Sequence, residues 1–108
     1  MIAAEAVFDG RSSELCVEGH AGYAEHGKDI VCAGVSALCG SLWARLASLE
    51  SLGVIAVTDL GPKGGGFCCK LTDIAGSYGR SAVEQTADGI RLIADKYPEH
   101  VFIKREYR

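Results

Sequence analysis

The sequence predicts a single α+β domain, a sandwich in which two amphipathic helices pack on a mainly antiparallel sheet. Three observations support this fold: short strand-like segments open the chain, two long segments have apolar residues at helical spacing, and no linker or repeat divides the sequence. The 108 residues are 48% hydrophobic, which is enough to form one core without disulfides or metal. We therefore treat residues 1–108 as one domain with the element order β-β-α-β-β-α-β.

Residues 2–8 and 13–18 are predicted to be strands, and the turn-forming residues 9–12 between them indicate a hairpin. Residues 19–29 have no apolar periodicity and are predicted to form a loop, in which Gly22 and Gly27 can act as hinges. A loop of this length inside a small domain is often functional. We expect it to be flexible, with Tyr23 between the two hinges, and to close over a bound ligand.

The first helix is predicted from residue 30 to residue 51. Asp29 is suited to the N-cap position, and Gly53 follows the last apolar residues as a C-terminal stop. The predicted core-facing stripe consists of Val31, Val35, Leu38, Leu42, Leu46 and Leu49. This assignment puts Cys32 in the first turn of the helix.

The second half of the chain is predicted to repeat the pattern of a hairpin followed by a helix. Strands are expected at residues 54–58 and 66–72, separated by a loop at residues 60–65, and a final strand at residues 100–106. The second helix is expected from residue 81 to residue 97, with Ser81 and Glu84 as a capping box and Pro98 as its end.

Composition narrows the classes of function. Charged residues make up 23% of the chain and the formal net charge is −3, so no basic surplus is available to neutralise a nucleic-acid backbone. The N-terminus lacks a basic segment followed by a long apolar run, and no later run approaches the roughly 20 apolar residues that span a bilayer. We therefore expect a soluble cytoplasmic protein that contacts neither nucleic acid nor membrane directly.

The cysteines do not suggest a disulfide framework. There are five of them, an odd number, and no pair has the C-x-x-C spacing of a zinc or redox motif. Neighbouring side chains on a strand point to opposite faces, so Cys68 and Cys69 cannot share one bond. We expect no disulfide, and we interpret every cysteine except Cys32 as a small buried hydrophobe.

Cys32 is the candidate nucleophile. A cysteine at a helix N-terminus meets unpaired backbone N–H groups and the positive end of the helix dipole, both of which favour the thiolate. A free thiol also needs a base or imidazolium partner, and His20, at the end of the second strand, can supply one if the loop folds back over the helix start. The backbone N–H groups of Cys32 and Ala33 are the expected donors to a developing oxyanion.

Several neighbours have two interpretations at this point. Asp29 caps the helix and could also orient His20, although a carboxylate beside Cys32 would oppose thiolate formation. Ser36 lies one turn after Cys32 and either lines the site floor or packs against the loop. A zinc site built from His20, His26, Asp29 and Cys32 matches no known spacing, so no metal or cofactor is expected.

Aromatic and remaining histidine side chains give weaker signals. Tyr23, Phe67 and Tyr78 could contact an apolar substrate side chain, but core or interface packing is the more common role of such residues. His26 is expected to be a solvated loop histidine, and His100 shows no partner at a fixed spacing.

The segment Gly19-His20-Ala21, followed after a variable loop by residues 29–38 (DIVCAGVSAL), resembles the signature of the ribosomal-processing cysteine proteases, the Prp family. The resemblance implies a homodimeric bacterial cysteine endopeptidase with a catalytic dyad at Cys32 and His20. It also implies the substrate, the large-subunit ribosomal protein twenty-seven, whose short N-terminal extension ends in an aromatic-rich segment and is removed during ribosome maturation.

Two other functional classes remain open from the residues alone. A thiol acyltransferase or a redox-sensing protein would use the same activated Cys32, but would need an acyl-carrier site or a resolving cysteine, and neither is visible in the sequence. A non-catalytic ribosome-associated binding module would need neither Cys32 nor His20.

Overall fold

The computed structural model describes residues 1–108. Its elements are β1 (Ile2–Asp9), β2 (Ser12–Gly19), α1 (Ile30–Ser51), β3 (Ile55–Lys63), β4 (Gly66–Asp73), α2 (Tyr78–Lys96) and β5 (Val101–Tyr107). The five strands form one sheet in the order β3-β4-β2-β1-β5. Every neighbouring pair is antiparallel except β1 and β5, which are parallel. The predicted element order and the mainly antiparallel sheet are therefore confirmed.

One face of the sheet forms the core. Side chains alternate along β1, with Ile2, Ala4, Ala6 and Phe8 buried and their neighbours more exposed. The buried residues of the strands and of both helices belong to a single hydrophobic cluster. Both helices consequently cover the same face, and the other face of the sheet is open. This two-layer arrangement brings the start of α1 close to the end of β2.

Helix α1 has the predicted bounds and the predicted Asp29 N-cap, and Gly53 follows its last turn with a positive φ of 75°. One position of the predicted stripe is wrong: Cys39 is buried where Leu38 was expected. Leu38 is only partly buried and instead lies against Gly89 of α2, because it faces the other helix rather than the sheet.

By length and composition alone, α1 could also cross a bilayer, with a mean hydropathy of 1.6 and 28% of that segment buried. The expectation that no segment reaches this threshold was therefore wrong. The small residues of its outer face raise the hydropathy, while its inner face packs on the sheet as a core helix does.

The start of α2 differs from its prediction. The helix begins at Tyr78 rather than at residue 81, and the capping box of Ser81 and Glu84 does not form, since Ser81 already lies inside the first turn. The buried carboxylate of Asp73, at the end of β4, accepts hydrogen bonds from the backbone N–H groups of Gly79 at 2.8 Å and Arg80 at 3.1 Å. The side chain that caps α2 therefore comes from the end of the preceding strand rather than from a residue in the first turn.

Strand β3 extends through the predicted loop. Residues 60–63 pair with β4, and only residues 64–65 form the turn. Pro62 is tolerated because β3 is the edge strand of the sheet, where a missing N–H costs no ladder hydrogen bond. The irregularity between Val57 and Asp59 lies in the same strand.

Cys16 and Cys68 form a disulfide between β2 and β4, which contradicts the expectation of none. The two residues are directly opposite in the antiparallel register, with their Cα atoms 4.2 Å apart. Their proximity depends on how β2 aligns with β4, and spacing in the sequence contains no information about that register. The bond lies on the open face of the sheet, away from the helices.

Candidate active site

A cavity of about 670 Å³ lies where β2, the following loop, α1 and the start of β4 meet. Its wall includes apolar side chains from several elements, among them Val17, Val35, Cys39 and Phe67. Its remaining border is polar and includes His20, His26, Asp29 and Cys32. Side chains from separate strands, α1 and the loop therefore surround one space large enough for part of a peptide.

The thiol of Cys32 is half-buried and borders this cavity. Its sulfur accepts a hydrogen bond from the backbone N–H of Ala21, with N and Sγ 3.3 Å apart. Ala21 itself is buried, although it lies in the loop. A donor aimed at the sulfur stabilises the thiolate more than the thiol, so the loop contributes to the environment of Cys32 as directly as the helix does.

Asp29 links the loop to the helix. One carboxylate oxygen accepts the N–H groups of Val31 at 3.0 Å and Cys32 at 2.9 Å, and the other accepts those of Tyr23 at 3.0 Å and Ala24 at 3.3 Å. These hydrogen bonds, chiefly the one from the Cys32 N–H, hold the pKa of Asp29 below its ordinary value. The capping role is confirmed. None of these bonds involves His20, so no hydrogen bond supports the expectation that Asp29 orients His20.

The expected oxyanion donors are already occupied. The Cys32 N–H bonds to the Asp29 side chain, and the Ala33 N–H donates to the Asp29 carbonyl oxygen at 3.0 Å as part of the first helical turn. That these two groups hold an oxyanion stays a prediction, and the hydrogen bonds count against it, because the N-cap uses one N–H group and the helix uses the other.

His20 borders the same cavity as Cys32 and is exposed. Its imidazole makes no hydrogen bond within the chain, and the thiol of Cys32 is bonded only to Ala21. The backbone just before His20 is tightly constrained: Gly19 has a φ of +93°, and a Cβ there would lie 2.3 Å from the carbonyl oxygen of Met1. Only glycine fits this position, and it sets the direction in which the loop leaves β2.

The other predicted site residues separate into two groups. Gly22, Gly27, Ala33 and Ser36 border the cavity, with Ser36 exposed rather than packed. Tyr23 does not, because its ring packs edge-on against Tyr97 and His100, with centroids 5.3 Å and 5.5 Å apart. Tyr23 therefore anchors the loop to the C-terminal end of α2, and a direct contact with substrate is not supported.

The loop is held unevenly. Its first part is fixed by the bonds of Ala21, Tyr23 and Ala24, whereas residues 25–28 have one backbone hydrogen bond and an exposed ion pair between Glu25 and Lys28. An exposed pair of this kind contributes little stability. The flexibility of the loop stays a prediction, and the contacts favour residues 25–28 as its mobile part.

The sequence over residues 1–102 matches the profile of the family described as cysteine protease Prp. The chain belongs to the cysteine protease Prp family. It is thus a cysteine protease, and the resemblance found at residues 19–21 and 29–38 is confirmed as membership of that family.

Individual relatives agree with this assignment. The ribosomal processing cysteine protease Prp of Staphylococcus aureus is 29% identical over 94 residues, 86% of each chain. A crystal structure of the S. aureus ribosomal processing protease Prp, in complex with a covalently linked product peptide, has a TM-score of 0.75 at 23% identity and covers 100% of both chains. The crystal structure of the Streptococcus mutans protein SMU.848 has a TM-score of 0.65 at 31% identity, covering 100% of this chain and 96% of the other.

Among the free thiols of this Prp family member, Cys32 is the one suited to catalysis. Burial raises the pKa of Cys39 to about 11 and that of Cys69 to about 12, so both stay protonated at neutral pH. Cys16 and Cys68 are joined to each other. No cluster of three His, Cys, Asp or Glu side chains could hold a metal ion.

Sequence reasoning missed two features of the site. Cys39 lines the cavity seven residues after Cys32 on α1, and that spacing could have indicated it, since residues two turns apart share a helix face. The Ala21 N–H that bonds to Cys32 had no such signal, because the path of an aperiodic loop cannot be derived from residue spacing.

Proposed function

We propose that this protein is the endopeptidase that removes the short N-terminal extension of the large-subunit ribosomal protein twenty-seven, with Cys32 as nucleophile and His20 as general acid and base. The main observation behind this proposal is that Cys32 accepts a backbone N–H at its sulfur and shares one cavity with His20. The relatives whose names describe ribosomal processing supply the substrate class.

The reaction begins when His20 takes the thiol proton and the Cys32 sulfur attacks the scissile carbonyl carbon. His20 then gives that proton to the departing amine as the C–N bond breaks, which leaves a thioester on Cys32 and frees the C-terminal product. Water, deprotonated by His20, attacks the thioester, and the sulfur leaves as thiolate and recovers its proton. Closure of the loop on the peptide would bring the two side chains into contact.

The oxyanion needs donors other than those predicted from the sequence. His20 and Gly22 border the cavity, and their backbone N–H groups have no partner within the chain. Both belong to the segment that supplies the Ala21 N–H to Cys32. We therefore assign the oxyanion site to the loop side of the cavity rather than to the start of α1.

The shape of the cavity supports an aromatic-rich substrate segment. Val17, Val35, Cys39 and Phe67 provide an apolar wall, and Phe67 can stack with an aromatic side chain of the peptide. The polar border formed by Glu18 and the loop backbone can pair with the main chain of an extended peptide.

The outer face of α1 supports the proposed homodimer. Between Ala33 and Ser48, the exposed positions of this helix include only one charged residue, Arg45. An outer helix face of small residues with one exposed tryptophan and a single charge lets another backbone approach closely, which suits a face covered by a partner. We propose that a second copy of the chain packs on this face. Sedimentation equilibrium measures the molecular mass in solution and so tests for the dimer. We also propose that the protein acts in the cytoplasm, where ribosomal proteins assemble.

Cleavage of a synthetic leader peptide, followed by mass spectrometry, tests the proposed function. We expect a single cut with the wild-type protein, no cut with Cys32→Ala, and a loss of about 10²-fold or more with His20→Ala. His26→Ala is the matched control, since His26 borders the same cavity and has no assigned role; it should retain activity. A stable modification of Cys32 without cleavage would favour an acyltransferase, and no reaction at all would favour a binding module.

A further inference from the structure

The loop that supplies the donor to Cys32 is fixed from the opposite end of the sequence. Nδ1 of His100 lies 2.8 Å from the carbonyl oxygen of Ala21, 79 positions away. A carbonyl oxygen can only accept a hydrogen bond, so Nδ1 carries a proton in this contact. The same Ala21 donates its N–H to the Cys32 sulfur at 3.3 Å. One buried residue therefore connects the imidazole of His100 with the thiol.

His100 is itself held on a rigid part of the fold. Its backbone N–H donates to the carbonyl oxygen of Tyr97 at 2.9 Å, and its carbonyl oxygen accepts the N–H of Ile2 at 2.9 Å. Its ring packs in a T-shaped arrangement with that of Tyr23, which is part of the loop. The position of the imidazole is thus set by the end of α2 and the start of β1, two elements outside the loop.

The contact also fixes the next peptide group. In a trans peptide the C=O and N–H point in opposite directions, so a bond to the Ala21 carbonyl turns the Gly22 N–H away from His100. Gly22 borders the cavity, and its N–H has no partner within the chain. The bond from His100 therefore orients the Gly22 N–H directly, and by holding the Ala21 residue it also restrains the preceding peptide group, whose N–H points to the Cys32 sulfur.

We propose that His100 is a positioning residue for the protease: its Nδ1–H bond to Ala21 holds the segment from His20 to Gly22 in the arrangement that Cys32 needs. The inference rests on the proposed role of Cys32 as nucleophile. It also changes the interpretation of His100, which the sequence alone left without a partner.

Substitutions at residue 100 separate this role from simple packing. His100→Leu keeps bulk but removes the donor, whereas His100→Asn puts an amide N–H close to where Nδ1 lies. We expect His100→Leu to slow iodoacetamide alkylation of Cys32 at pH 7 about tenfold, the scale of one hydrogen bond to a charged group. The leader-peptide kcat should fall by a similar factor with KM little changed, and His100→Asn should restore both.

A stability control and a measurement on the unaltered protein complete the test. Ile103→Ala removes buried volume in β5 and should lower stability without slowing alkylation per folded molecule. In the wild-type protein, long-range ¹H–¹⁵N NMR should find His100 protonated at Nδ1, a result that does not depend on any variant folding.

Three results would overturn the proposal: an Nε2–H tautomer of neutral His100, wild-type alkylation in His100→Leu, or equal impairment of the Leu and Asn variants. Alkylation needs no substrate, so it reports on His100 even if the ribosomal substrate is wrong. Failure of the proposed function would instead show as absent leader cleavage by the wild-type protein, with the alkylation results unaffected.

Discussion

An aspartate caps the N-terminus of each helix, but the two caps have different roles. At α2, both oxygens of Asp73 accept N–H groups of the first turn, and the side chain is buried. At α1, Asp29 gives one oxygen to the first turn and the other to the loop. The first arrangement caps only a helix, whereas the second also fixes the first part of the loop against the start of α1, where Cys32 lies. A cap becomes part of an active site when its second oxygen holds something other than the helix.

The largest difference that this comparison predicts is in thiol reactivity. The start of α1 has a thiol that accepts a hydrogen bond, while Cys39 and Cys69 are buried with pKa values of about 11 and about 12. A thiol with a pKa near 11 is only about 0.1% ionised at pH 8. Iodoacetamide at pH 8 should therefore label Cys32 alone in the folded protein.

Peptide mapping before and after unfolding in urea measures this selectivity. Cys39 and Cys69 should appear only after unfolding, and Cys16 and Cys68 only after reduction as well. Labelling of Cys39 as fast as Cys32 in the folded protein would contradict the assignment of one reactive centre.

Conservative substitutions of the two aspartates should have opposite consequences. An asparagine has one acceptor oxygen instead of two. Asp73→Asn should therefore leave a buried N–H without an acceptor and lower the free energy of unfolding by about 2 kcal/mol. Activity per folded molecule should be unchanged. Asp29→Asn can hold the helix or the loop but not both, so it should reduce leader-peptide turnover about tenfold with a smaller change in stability.

Urea denaturation measures the free energy of unfolding of both variants, and steady-state kinetics measure their turnover of the leader peptide. If Asp73→Asn reduced turnover per folded molecule as much as Asp29→Asn, the proposed distinction between a structural cap and a catalytic one would be lost.

How far the sequence predicts this molecule depends on how local each feature is. The bounds of α1 follow from a cap and a stripe within one segment, and they were predicted correctly. The start of α2 was not, because Asp73 reaches it from the preceding strand. The Cys16–Cys68 bond depends on the register of two strands 52 positions apart. In the site, Cys32 and His20 were expected to lie near one space, and both border the cavity, but the Ala21 N–H that bonds to Cys32 required the three-dimensional path of the loop.

The smallest expected effect concerns pH. The pKa of Asp29 is lowered in the fold from its ordinary 3.8, chiefly by the N–H of Cys32. Because the pKa is lowered by folding, the ionised carboxylate stabilises the loop at every pH above the unfolded pKa of 3.8. This stabilisation is lost as the pH falls below 3.8 and through the pKa of the folded protein. Amide exchange at Tyr23 and Ala24 should therefore stay slow at pH 4.5 and quicken at lower pH, relative to the β1–β2 hairpin.

The Asp29→Asn variant is the control for this titration, since it has no carboxylate to protonate at residue 29. Its loop should exchange rapidly at both pH values. Loss of protection in the wild-type loop already between pH 6 and pH 4.5 would point to a different titrating group.

Covalent trapping tests directly whether Cys32 attacks a peptide bound in the cavity that it shares with His20. A leader peptide ending in a chloromethyl ketone at the scissile position alkylates the attacking thiol: the sulfur bonds to the methylene carbon, chloride leaves, and a stable thioether remains. Tandem mass spectrometry then identifies the modified residue. We expect an adduct on Cys32, none with Cys32→Ala, and much slower trapping with His20→Ala than with His26→Ala. An adduct on Cys39, or leader cleavage that persists in Cys32→Ala, would contradict the role of Cys32 as nucleophile.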